Sequence, residues 1–455
     1  MTAWVDRARP HPCSMTSFTA PIPSRRLVLK TGATGALAGA LSPWALAKKR
    51  SGERDGILRV GLIGCGGRGT GAAAQALRAD DGAVLVAMGD AFEDHLENSH
   101  RTLSASEDIK DRVQVPPENR FVGFDAYKQV IDSVDVVLLA TSPFFRPMHV
   151  AYAVEHGKHL FVEKPVAVDA TGLRSIIAST RKAEEKGLSM VSGLCYRYQF
   201  AKQDTVRRIQ EGAVGDIRTM QCTYNTGELW YRAPKPDWTD MDTQMRNWLY
   251  FDWLSGDHIA EQHIHSLDKL AWAMGDVYPV KATASGGRSK RTDPKFGNIY
   301  DHFNTVYEWE DGVVGFSSCR QMSGCASNVS DYVYGTKGVA NIQSHSIKTD
   351  DGQSWRYRND ASKNWSQRRR GSDDMYQNEH DAFFWSIRNG EPINNGDYMA
   401  NSTMMAVMGR LAAYTGQSIT WEQAWNSTLD LTPESLAFGP APECTVAVPG
   451  VTPFV

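Results

Sequence analysis

The chain has 455 residues, of which 42% are hydrophobic and 22% charged, with a net charge of −3. This describes a soluble chain long enough for two domains with real cores, and it offers no basic excess for nucleic acid. Seven cysteines with no C-x-x-C pair exclude a disulfide scaffold and a zinc module; Cys319 and Cys325 are close enough in sequence to bridge but read as buried thiols.

Residues 1–47 read as an export address. Ser24-Arg25-Arg26-Leu27-Val28-Leu29-Lys30 precedes a weakly apolar, Gly/Ala-rich stretch that ends in Ala45-Leu46-Ala47, the pattern of a twin-arginine signal with its cleavage site. The apolar stretch is too short and small-sided to span a membrane, so the expectation is a periplasmic or otherwise exported protein that meets the twin-arginine translocase, without stable membrane insertion. Residues 1–14 add nothing to this signal, which leaves Met15 as an alternative start.

From residue 57 the apolar runs "ILRVGLIG", "AVLVAMGD", "RFVGF", "VDVVLLA", "KHLFVEK" and "LSMVSG" alternate with segments of helical spacing. That alternation predicts an α/β fold with a doubly wound parallel sheet over residues 57–195. Beyond it the strands lengthen ("IRTMQCTY", "HFNTVYEWE", "VVGFSSC"), with a hairpin turn at "EDG", residues 310–312. Residues 196–427 therefore read as an α+β domain with a large, open, mainly antiparallel sheet. Residues 428–455 form a tail, and "KNWSQRRRGSDD" is a polar surface stretch.

The first strand runs straight into Gly64, Gly66, Gly67, Arg68 and Gly69, a G-x-G-x-x-G pattern at the start of a helix. The first glycine permits a tight turn, the second a close approach to a pyrophosphate, and the third close packing of helix on strand. Asp90 closes the second strand, where a carboxylate accepts from ribose hydroxyls and repels a 2′-phosphate; the combination predicts NAD rather than NADP. Arg68 either contacts phosphate or is solvated.

The fingerprint, "LLATSP", "HLFVEKP" and "GDHIAEQHIHSLD" occur in an order and spacing that resembles the glucose-fructose oxidoreductase, inositol dehydrogenase and rhizopine-catabolism family, Gfo/Idh/MocA, from about Ile57 to about Ser427. The resemblance implies a Rossmann domain, a C-terminal open-sheet domain, and oxidation of a carbohydrate or polyol at their junction. It assigns Lys164 of Glu163-Lys164-Pro165 as a catalytic residue, with Glu163 shaping the cofactor site, and His265 as the catalytic histidine, with Glu261 where the family carries aspartate. A helix beginning near Asp257 would place Glu261 and His265 on one face as neighbours.

His258, Glu261 and His265 would share that face as well, a grouping that zinc sites also use, with His263 directed elsewhere; substrate hydrogen bonding and capping are the favoured reading and no metal is expected. Thr141 and Pro143 follow the fourth strand near the expected nicotinamide, and Tyr196 and Arg197 follow the sixth on the rim of the cleft. Trp230, Tyr231, Trp238, Trp248 and Trp253 are candidates for stacking on sugar faces or for core. Three readings follow: an NAD-dependent sugar or cyclitol dehydrogenase, a redox-neutral glycosidase resembling glycoside hydrolase family 109, and a non-catalytic sugar-binding protein. Covering an open sheet face predicts a homo-oligomer.

Overall fold

The computed structural model describes residues 56–359 and 373–455. The export signal and most of the polar stretch from residue 363 to 374 lie outside the described residues. Two sheets organise the rest. The first holds six strands in the order β3-β2-β1-β4-β5-β6, all parallel, from β1 (Leu58–Ile63), β2 (Ala83–Asp90), β3 (Arg120–Val122), β4 (Val136–Leu139), β5 (His159–Val162) and β6 (Met190–Ser192). These are the six apolar runs of the sequence. The central strands are buried on both faces, which is why they read as continuous rather than alternating; Val60, Leu62, Leu138 and Phe161 are fully buried, each contributing about 1.5–3 kcal/mol relative to exposure.

The second sheet has nine strands, among them β8 (Lys281–Gly287), β12 (Gly338–Asn341), β13 (Ser346–Thr349), β14 (Ser354–Arg356) and β15 (Ile419–Thr420), in the order β14-β13-β12-β11-β7-β10-β9-β8-β15. Its centre is β7 (Ile217–Thr226), parallel to β10 (Val314–Gln321) and antiparallel to β11 (Asn328–Gly335). β9 (His302–Glu308) and β10 are joined through the turn at residues 310–312, where Gly312 takes a φ of +84°. Burial alternates along both strands because only one face is covered, by helices Ile264–Ala273 and Gly396–Thr415. Phe316 on the other face is 51% exposed.

Helix Met375–Asn389 returns from the second half to the first sheet, where Phe383, Phe384 and Ile387 join the core beneath helix Gly67–Ala79. The tail from residue 428 is irregular but packed: Leu431, Leu436, Ala441 and Cys444 lie against the core around Trp253 and Phe251. Cys319 and Cys325 are not bridged; the first is buried, and the second is exposed rather than buried as expected. Among the described residues no helix is long and apolar enough to cross a membrane.

Candidate active site at a dinucleotide cleft

The strand order reverses between β1 and β4, and the crevice opens at their C-terminal ends. Gly64 turns the chain there with a φ of +92°, and a Cβ on it would strike the Ala140–Thr141 backbone. A Cβ on Gly69 would collide with the carbonyl of Gly64, whereas at Gly66 and Gly67 it would meet no atom of the described residues within 4 Å. The inner glycines let the helix pack; the outer ones present bare backbone to a cavity of about 370 Å³. Among the described residues no side chain caps this helix start, so its amides face the space where an anion is best received.

Asp90 lines the same cavity and accepts from the amides of Cys65 (2.6 Å) and Phe92 (2.9 Å), stitching the glycine turn to the turn after β2. Each carboxylate oxygen keeps a lone pair for a ribose hydroxyl. Thr141 borders the cavity with its buried hydroxyl unpartnered among the described residues, and Pro143 starts the buried turn Pro143–Phe145. Bare backbone, a carboxylate at the end of β2 and an orphaned hydroxyl at the end of β4 fit a dinucleotide.

The residues expected to be catalytic lie one strand over. Arg146, buried, donates to the carbonyls of Thr141 (2.6 Å) and Pro165, tying the end of β4 to the segment after β5. Lys164 directs its ammonium to the backbone carbonyl of Glu261 and to its carboxylate at 3.2 Å. His265 lies edge-on to Tyr196, with ring centroids 5.1 Å apart. Burial holds its imidazole well below the ordinary pKa, and the cations of Lys164, Lys269 and Lys202 reinforce the effect. It is a neutral ring, and its Nδ1 has no partner among the described residues.

Comparison with known proteins agrees with this geometry. Residues 58–191 match the model of the oxidoreductase family with an NAD-binding Rossmann fold, and residues 203–341 match the GFO/IDH/MocA C-terminal domain, together more than half of the chain. The chain belongs to the Gfo/Idh/MocA family. It is 26% identical over 261 residues to glycosyl hydrolase family 109 protein 1 of Bacteroides thetaiotaomicron, covering 56% of this chain and 54% of the relative. It is 24% identical over 285 residues to myo-inositol 2-dehydrogenase of Thermotoga maritima, covering 62% and 74%. With 2,7-anhydro-N-acetylneuraminate hydratase of Escherichia coli it shares 27% over 179 residues, 39% of this chain and 44% of that one. The chain thus spans about half the length of the first of these relatives and less of the last. The fold is that of aldose-aldose oxidoreductase from Caulobacter crescentus, with a TM-score of 0.60 at 19% identity over 80% of this chain and 99% of that one.

Several residues sit where a Gfo/Idh/MocA sequence alone would not place them. The helix expected from Asp257 is broken: His258–Glu261 ends, His263 N donates back to His258 O at 3.0 Å, and a new helix runs Ile264–Ala273. The break frees the Glu261 carbonyl for Lys164, so Glu261 pairs with the lysine rather than stacking one turn above His265. Asp257 sets this path at a φ of +68°, a conformation costing about 1–3 kcal/mol outside glycine. Its buried carboxylate offsets that by accepting from His258 Nδ1 (2.9 Å), Tyr300 N (2.8 Å) and Tyr414 OH (2.7 Å).

His258 is consequently buried against Phe303 and withdrawn from the cleft, which corrects its assignment as a substrate residue. His263 is buried on Ser317 (2.6 Å), its pKa lowered to about 3 by burial. Among the described residues no three His, Cys, Asp or Glu side chains form a metal-binding group. Arg197 is also withdrawn: it grips buried Asp268 (2.8 Å) and Asp276 (2.7 Å) and stacks on Tyr398. Arg68 spends its guanidinium on Glu163 (2.5 Å) and Glu379 (3.3 Å). Burial opposes its charge, but the two carboxylates outweigh it and hold its pKa above the ordinary value.

Glu379 and its neighbour His380, both buried, come from the returning helix and carried no local sequence signal. Lys202 and Lys269 each place an ammonium 4.5 Å from the Tyr196 ring, behind His265. Of the aromatic segment, Trp230 and Trp248 line the dinucleotide cavity while Trp253 is core.

Proposed function

We propose that this Gfo/Idh/MocA protein is an NAD-dependent oxidoreductase acting on a hydroxyl of a sugar, cyclitol or glycoside. The observation that carries the reading is the convergence of Lys164, Glu261 and a neutral His265 one strand from the glycine-loop cavity. The bound nicotinamide supplies a two-electron acceptor. The chain supplies the rest: Lys164 donates to the substrate hydroxyl oxygen, Glu261 fixes the lysine, and His265 takes the hydroxyl proton. Arg146 holds Thr141 and Pro165 so that the two ends of the cleft keep their spacing.

The twin-arginine reading of residues 24–30 and 45–47 supports export after folding, into a compartment without a pool of NAD. The cofactor then enters in the cytoplasm, stays bound and is regenerated in place, by a second sugar or a quinone-like acceptor. A redox-neutral glycosidase cycle satisfies the same demand, and the similarity to glycosyl hydrolase family 109 protein 1 favours keeping it as the second reading. The half-covered nine-stranded sheet with exposed Phe316 supports a homo-oligomer.

The test is to purify residues 48–455 without added cofactor, denature them and measure the released dinucleotide. Bound NAD is expected, followed by turnover on a panel of polyols and aldoses. Cleavage of aryl glycosides without polyol oxidation would select the glycosidase. Empty protein that exchanges NAD at micromolar affinity would refute the retained-cofactor reading.

A further inference from the structure

The glycine loop brings no free cation to the cavity. Arg68 is committed to Glu163 and Glu379, and Arg246, which also lines the cavity, is paired with Asp94 at 2.8 Å and stacked on Phe92. Arg232 differs. It lines the same cavity, its guanidinium rests over the Trp230 ring at 5.1 Å, and it makes no ion pair or side-chain hydrogen bond with the described residues.

Its loop has no regular secondary structure and is largely exposed, yet its backbone is fixed from below. Buried Asn247 accepts from Arg232 N (2.8 Å) and donates to Arg232 O (2.9 Å), and the hydroxyl of buried Tyr250 reaches the carbonyls of Leu229 and Trp230, both at 3.0 Å. Two buried polar side chains spent on holding an exposed arginine is preorganisation, which lowers the entropy lost when the arginine takes a ligand.

Resting on the dinucleotide reading, we propose that Arg232, delivered by the second half of the chain, clamps the diphosphate of the bound dinucleotide against the glycine loop. The loop contributes neutral amides and the arginine the compensating charge, with the planar guanidinium suited to two phosphate oxygens. Release of the cofactor then requires the 229–232 loop to let go, which suits a protein that must keep what it was loaded with.

The probes are NAD, ADP-ribose and adenosine, titrated by calorimetry into protein stripped of cofactor, for the wild type, Arg232→Ala and Arg232→Lys. Arg232→Ala is expected to weaken NAD and ADP-ribose by about tenfold, to flatten the loss of affinity with added salt, and to leave adenosine within about twofold. Arg232→Lys restores part of the loss, and the unchanged melting temperature of an exposed-residue variant shows the fold intact. Equal affinities for ADP-ribose in wild type and Arg232→Ala would overturn the clamp. Wild-type protein that binds neither NAD nor ADP-ribose would overturn the dinucleotide reading and the clamp with it.

Discussion

The two ends of the cleft are built on opposite plans. At the glycine loop the chain withdraws its side chains: Gly66 and Gly67 leave open space, and Arg68 turns to the carboxylates behind it. At the other end it crowds them. Lys164 is held by Glu261, His265 meets Tyr196 edge-on, and the ammonium groups of Lys202 and Lys269 both lie near that ring. Binding a large anion needs exposed amides that no side chain competes for. Moving a proton needs a few groups whose protonation is set by burial and neighbouring charge. The difference teaches that one end fails by gaining atoms and the other by losing them.

The largest effect tests the crowded end. Lys164→Ala and His265→Ala should each lower kcat by about a hundredfold or more, the usual worth of a positioned proton-transfer group, while the dinucleotide content after purification stays as in the wild type. Because burial depresses the His265 pKa, its neutral form persists through mildly acidic pH, so the wild-type rate should not fall on the acid side at the ordinary imidazole value near 6.5. An acid limb at that pH would reassign the base.

The bare end breaks differently. Gly69→Ala should lower the melting temperature and the NAD content together, since its Cβ meets the Gly64 carbonyl. Gly66→Ala should leave the melting temperature unchanged and weaken NAD alone, because its Cβ enters only the cavity. A parallel loss of stability in both variants would mean that the loop is merely packed, with no ligand to receive.

The smallest effect concerns selectivity. Replacing Asp90 with serine should narrow the preference for NAD over NADP, since the carboxylate that would repel a 2′-phosphate is gone. Ratios of kcat/KM for the two cofactors measure it. The gain is limited because Asp90 also holds Cys65 N and Phe92 N, contacts that a serine cannot both replace. An unchanged ratio would leave Asp90 only its role as a stitch between turns.

Much of this was legible in the sequence, and the residues show why. Fully buried parallel strands need continuous apolar runs, so β1 to β6 stand out in the text, and a tight turn against a helix start needs glycine at Gly64 and Gly69 whatever the rest of the chain does. Lys164 and His265 were legible only through resemblance to a family. His258 and Arg197 were misplaced because a polar residue near a cleft looks the same in sequence whether it faces the ligand or a buried carboxylate. For His258 that carboxylate is Asp257, and for Arg197 it is Asp268.

The sequence by itself determined the features that depend on nearest neighbours along the chain: strand and helix alternation, the glycine turn, Asp90 at the end of β2 and the hairpin at 310–312. Tertiary structure decided everything that depends on which distant group arrives first. The helix after Asp257 has a continuous helical pattern, yet it breaks after Glu261, and the carbonyl so freed pairs with Lys164, 97 residues earlier. Arg68 looks like a phosphate ligand, yet Glu379, 311 residues later, helps to draw it away. A hydrogen-bonding group has a fixed number of bonds to give, and only the folded chain settles who receives them.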